Sequence, residues 1–266
     1  SSGCPPKQML DPNTKTDYNT LRRLLQFDKL DGDRKGLLMK IAEEGQIVRD
    51  LVLSFPAREL TNPEIFPSLL FYYGMLTIVG TYGSQLVLGI PNNNVRKQYY
   101  EYLLESYQPM SDVSLSQLKT FFTQMAFEGE WQGALRYIAE AYKRCSSVRD
   151  AIEGERNIQG FFLAYLSLND YYLTAPELEL AHGFCDFFLL PDLTHYASKH
   201  SYIVEIKYLS KGDQAAKAET QWREAVEQIN RYAVAPRVEV LRQGTQLHKI
   251  VMQFVGWELL RMEEIG

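Results

Sequence analysis

Apolar residues recur at helical spacing from Tyr18 to about Phe55, first in LRRLLQF and again in GLLMKIAEEGQIVRDLVL, with the turn-like Asp31-Gly32-Asp33 between them. This pattern predicts two helices. A further helix over Pro67 to Gly74 leads into two β-rich runs, Leu76 to Gly80 and Gln85 to Pro91. The Tyr-Gly-Ser between them predicts a hairpin. Helical spacing returns at Asn94 to Tyr107, Leu115 to Phe127 and Trp131 to Cys145, with Ser114 and Asn93 or Asn94 as N-caps. The first 146 residues therefore read as mostly helical with one small hairpin.

Beyond Ser146 the pattern changes. A helix over Val148 to Leu168 is followed by a strand at Tyr171 to Leu180, a second strand starting at Gly183 and a third over Ser201 to Tyr208. The helix at 213–234 then carries Ala218, Trp222, Ala225, Val226 and Ile229 on one side, and a last strand lies within Leu247 to Leu260. The expected order is α-β-β-β-α-β, so the fold class is α/β (α+β). The expected division is an α-rich region at 1–146 and an α/β domain at 147–266.

Two of those strands carry charge where a core is expected. Asp186 sits in GFCDFFLL, and alternation puts Glu205 and Lys207 on one face of the third strand, roughly 7 Å apart, with Val204 and Ile206 on the other. Desolvating such groups without partners costs several kcal/mol, so they must pair, bind a cation or stay wet. A divalent-metal nuclease needs oxygen ligands for Mg²⁺, a way to activate water and a positive charge near the phosphate. Asp186 and Glu205 supply the carboxylates, the carbonyl of Ile206 lies between the strand's two charges, and Lys207 is placed to orient or deprotonate the water. Glu155 on the preceding helix and Gln228 on the following one are placed to join them, because both helices are expected to pack on the same sheet.

Composition permits this and adds little. The 266 residues are 45 % hydrophobic and 12 % aromatic, enough for ordinary cores. There is no apolar run of about 18 residues and no signal-peptide pattern, so no membrane partner is expected. Cys4, Cys145 and Cys185 are far apart, which indicates neither a zinc site nor a disulfide framework and makes a reducing cytoplasm the default. The start up to Asp17 reads as a tail or linker. A net charge of -5 does not advertise nucleic-acid binding. Residues 1–150 hold 17 basic and 17 acidic side chains and residues 151–266 hold 11 and 16, so the acidic excess is C-terminal, where a metal-binding cluster would contribute to it.

The motifs Glu155 to Gln159 (E-x-x-x-Q), Gly183 to Asp186 (G-x-x-D), Glu205 to Lys207 (E-I-K) and Glu227 to Tyr232 (E-Q-I-x-x-Y), in this order, resemble the PD-(D/E)XK nuclease superfamily, which has a restriction-endonuclease-like core. More narrowly they are similar to the C-terminal nuclease-like domain of a bacterial family whose members join it to an AAA-type ATPase-like domain. Phe71 to Tyr107 resembles the region joining those two modules. The resemblance implies Asp186 and Glu205 as metal ligands, Lys207 as the catalytic lysine and Glu155 and Gln228 as auxiliary members of the site. It also implies Mg²⁺ as cofactor, with Mn²⁺ able to substitute, nucleic acid and above all DNA as substrate, and an ATPase domain as partner. The chain departs from that family in two ways. It has no G-x-x-x-x-G-K-[ST], so it is not read as an ATPase; either such a domain lies upstream of Ser1 or there is none. Phe184 stands where the family often has an arginine.

Plainer readings compete with these. Glu205 and Lys207 fit a merely solvated strand face, and a nuclease fold can persist as a non-cleaving module that binds nucleic acid or an ATPase partner. His182 reads as a metal or phosphate group or as a turn residue. His195 and His200, with Lys199 and Lys211 nearby, read as DNA-backbone contacts or as a polar loop. Tyr208, Trp222 and Tyr232 read as base-stacking groups or as core, and core packing wins for Trp222. Cys185 reads as a small buried hydrophobe. The helix at Tyr99 to Tyr107 fits a partner surface and an amphipathic helix equally well. Oligomeric state is not legible.

Overall fold

The computed structural model describes residues 34–52, 54, 62–92, 94–101, 104, 113–145, 154–180, 183–213 and 215–266. The first expected helix, residues 146–153 and His182 lie outside the described residues. The chain forms two compact units, Ser1–Tyr102 and Leu103–Gly266.

In the first unit α1 (Arg34–Glu44) ends at Gly45, whose φ of 72° lets the chain turn back. Strand β1 (Gln46–Val48) follows at once. Here the structure departs from the helical spacing of QIV: the β-branched Ile47 and Val48 pair with Leu88 and Val87 instead. Helix α2 (Phe66–Tyr72) and the expected hairpin, β2 (Thr77–Tyr82) and β3 (Gln85–Gly89), complete an antiparallel sheet ordered β1-β3-β2. Residues 94–101 are helical, which puts Asn94 inside the helix, and Asn92 Oδ1 makes a capping bond by accepting from the Val95 amide at 3.0 Å; Asn93 lies outside the described residues.

The second unit is built on a five-stranded sheet ordered β4 (Tyr172–Leu180), β5 (Gly183–Pro191), β6 (His200–Leu209), β7 (Gln246–Val255), β8 (Glu258–Glu264). All neighbours are antiparallel except β6 and β7, which run parallel and are joined across α6 (Ala215–Ala233) and the short α7 (Pro236–Leu241). The α-β-β-β-α-β order is present, and the expected last strand proves to be two. Gly256, at φ 57°, opens a two-residue turn between Val255 and Glu258 that folds VGWEL into a hairpin.

Helices lie on both faces of this sheet. Trp222, Ala225 and Ile229 of α6 share a core with Ile203 and Val251. The opposite face carries α3 (Leu115–Glu128), α4 (Gln132–Cys145) and α5 (Glu155–Leu166). There the Tyr202 hydroxyl donates to the Met125 carbonyl at 2.7 Å, and the Phe254 ring meets those of Tyr142 and Phe162 edge-on. The compact unit thus starts at Leu103, well before residue 146, because α3 and α4 bury one face of the sheet. Ser114 caps α3 as expected, accepting from the Gln117 amide.

Candidate active site

The pairing of β5 with β6 makes the site. Their ladder covers only Phe187, Phe188 and Leu189 against Val204, Ile203 and Tyr202. Toward Gly183 the two strands no longer pair, and Asp186 fills the breach with its side chain: its Oδ2 accepts the amide of Ile206 at 2.6 Å in place of a ladder carbonyl. Its Oδ1 accepts Gln159 Nε2 of α5 at 2.8 Å. One carboxylate therefore ties together β5, β6 and α5.

Continuing the ladder register places Glu205 opposite Asp186, and the side chain of Glu205 is 1 % exposed. Oε1 accepts Lys207 Nζ at 2.7 Å, whereas Oε2 is buried with no hydrogen-bond partner. Leaving such an atom unsatisfied is expensive, and in native sites it marks a place for an ion or water. Lys207 donates its second bond to Gln228 Oε1 at 3.3 Å, and Gln228 Nε2 donates to the Tyr232 hydroxyl at 2.6 Å. That hydroxyl donates in turn to the carbonyl of Phe184 at 3.0 Å. The chain of donors fixes which end of the Gln228 amide faces the lysine.

The electrostatics follow from burial and crowding. Removal from water, and then the charge of Glu205, push the Asp186 carboxyl well above the usual carboxylate range. Burial also raises Glu205, against the opposing pull of Lys207. For Lys207 burial works against the ammonium, but Glu205, Asp186 and Glu155 outweigh it and hold the group above its ordinary value. This favours the orienting cation over the base among the two roles expected of the lysine. Two carboxylates that resist joint ionisation, one with a free buried oxygen, suit a hard divalent cation, and magnesium commonly takes only one or two protein carboxylates. Among the described residues there is no group of three His, Cys, Asp or Glu side chains arranged to hold a metal ion.

The structure brings Asp186, Glu205, Lys207 and Gln228 together. Glu155, at the exposed first turn of α5, contributes its charge to all three ionisable groups. Two side chains that bond to this cluster are not singled out for it by the sequence pattern. Gln159 lies one helical turn after Glu155, and Tyr232 one turn after Gln228; the i,i+4 spacing within each motif was the available signal. Cys185 is buried, which pushes its thiol up. Trp222 is core. His200 lies at the other end of β6 from the E-I-K triplet: its Nδ1 is 2.9 Å from His248 Nε2, His248 Nδ1 is 2.7 Å from Glu264, and Trp131 donates to the same carboxylate at 2.9 Å. It belongs to that chain of side chains.

Residues 153–264 match the family model of the PD-(D/E)XK nuclease superfamily. This segment belongs to that superfamily. No curated protein and no solved structure matches the chain. The matched nuclease-superfamily segment begins just before α5 and ends in β8, so it contains every side chain of the breach between β5 and β6. Membership points to nuclease-type chemistry on nucleic acid, with a divalent metal as the superfamily's usual cofactor. No helix among the described residues is long and apolar enough to cross a membrane.

Proposed function

We propose that the chain hydrolyses phosphodiester bonds of nucleic acid, DNA first among its substrates, with Mg²⁺ held by Asp186, Glu205 and the carbonyl of Ile206. The observation that carries this reading is the buried Glu205 Oε2, which has no hydrogen-bond partner, on a carboxylate that crowds Asp186 electrostatically and binds the Lys207 ammonium through its other oxygen. The ion would supply Lewis acidity toward a phosphate oxygen and lower the pKa of a bound water. Gln159 and the Ile206 amide hold Asp186 in place for it. Lys207, with two donors committed to Glu205 and Gln228, keeps a third for the attacking water or a phosphate oxygen. Glu155 adds negative charge at the mouth of the site and is placed to reach a metal through water.

The purified protein is expected to cleave at least one of single-stranded, duplex or branched DNA with Mg²⁺ or Mn²⁺. Asp186→Ala and Lys207→Ala should each reduce the rate on the order of a hundredfold or more. Calorimetric titration with Mn²⁺ separates this from a non-cleaving binding module: heat of binding should be present in the wild type and lost in Glu205→Ala. Full activity in both alanine variants, or metal uptake indifferent to residue 205, defeats the assignment.

A further inference from the structure

Phe184 stands two residues before Asp186 and is 58 % exposed, while Phe187, Phe188 and Leu189 of the same strand are 1 %, 0 % and 0 % exposed. Burying a phenylalanine ring is strongly favourable, so a strand that shelters three neighbours and leaves more than half of this residue in water makes little packing use of it. The ring is nevertheless firmly mounted. Phe184 pairs with Glu179 of β4, and its carbonyl accepts the Tyr232 hydroxyl at 3.0 Å and Gln228 Nε2 at 3.5 Å. Because Gln228 also holds Lys207, ring and ammonium hang on one frame. Alternation puts the ring on the same side of the strand as the Asp186 carboxylate, roughly 7 Å away.

Two exposed guanidinium groups lie at the same end of the sheet, on the side of α6 and α7. That of Arg231 lies 5.7 Å over the Tyr232 ring, and Arg237 Nη1 donates at 3.2 Å to the carbonyl of Glu179, the cross-strand neighbour of Phe184. An exposed aromatic face next to a carboxylate-lined site is what an unpaired base stacks on. The exposed carboxylate of Glu179 repels a phosphate at the ring but accepts hydrogen bonds from a base's amino group, which favours base over backbone there. Inside a duplex the faces of each base are already covered by its neighbours.

We infer that Phe184 is a nucleobase-stacking platform, so that the preferred substrate has an unpaired nucleotide beside the scissile phosphate, as in a single strand, a flap or a frayed end. This rests on the nuclease reading of Asp186, Glu205 and Lys207. The test is fluorescence anisotropy of a labelled 12-nucleotide single strand and of its blunt duplex, in Ca²⁺ in place of Mg²⁺. Phe184→Ala should weaken single-strand binding about tenfold or more and leave duplex binding within about twofold. Phe184→Trp should retain the wild-type preference and Phe184→Leu should not. Unchanged single-strand affinity in Phe184→Ala, equal losses on both ligands, or full rescue by leucine overturns the platform. If the wild type cleaves and Lys207→Ala does not, while Phe184→Ala binds normally, the platform falls and the nuclease stands. If nothing is cleaved yet Phe184→Ala selectively loses the single strand, the chemistry falls and the platform stands.

Discussion

Asp186 is asked to do two things that conflict in water-poor surroundings. As an ionised group it accepts the Ile206 amide and Gln159, yet burial and the neighbouring Glu205 both disfavour its charge. An acid whose folded pKa stands above its unfolded value loses stability as pH rises from the unfolded pKa through the folded one. Metal-free Asp186→Asn should therefore be more stable than wild type at pH 8, by about 1.4 kcal/mol for each unit of elevation, and the two should converge near pH 4. Chemical unfolding across that pH range measures it. Adding Mn²⁺ should raise the wild type and leave the variant unmoved, because only a ligand bound to the folded state shifts the equilibrium. A difference independent of pH would mean that the residue is held by packing alone.

Between elements, the contact of α6 with the start of β5 depends on Gly183. A Cβ there would run into the Tyr232 hydroxyl, so the glycine is needed for close approach rather than for its φ. Tyr232→Phe removes the donor to Phe184 and the acceptor for Gln228, at about 0.5–1.5 kcal/mol of stability. Its larger effect should be on catalysis, since Gln228 loses the acceptor that anchors its Nε2 and then holds its Oε1 less firmly on the Lys207 ammonium. Gly183→Ala should act in the same direction through displacement of the tyrosine, and a nuclease assay beside a thermal melt checks both. Activity at the wild-type level in Tyr232→Phe would show that Lys207 needs no such support. The charged triplet and the element order were legible in the sequence because period-two alternation and helical spacing survive in single segments. Gln159 and Tyr232 stayed hidden as site residues because their roles arise from α5 and α6 converging on a breach between strands, which no local pattern encodes. The β1 and β7–β8 misreadings have a local cause: QIV continues a helical run in composition, and Val-Gly-Trp continues a strand.

On the scale of the molecule, family likeness and structural independence divide the chain at different points. The match begins at 153, but the compact unit begins at Leu103. The difference is α3 and α4, which cover the sheet face away from α6: Tyr142 packs on Phe254 and Trp257, Tyr202 donates to Met125, and Trp131 donates to Glu264. Phe254 and Tyr202 are 0 % exposed with these helices present. A fragment of residues 147–266 would keep every candidate catalytic residue and expose that aromatic face, and losing buried aromatic contacts of this size costs about 3–5 kcal/mol for each ring stripped of its packing. Against typical domain stabilities of about 5–15 kcal/mol, that loss is decisive. Residues 103–266 should therefore melt cooperatively, whereas 147–266 should bind a hydrophobic dye and show no sharp transition. An equally cooperative melt in the shorter fragment would mean that α3 and α4 are decoration on a self-sufficient nuclease fold rather than half of its core.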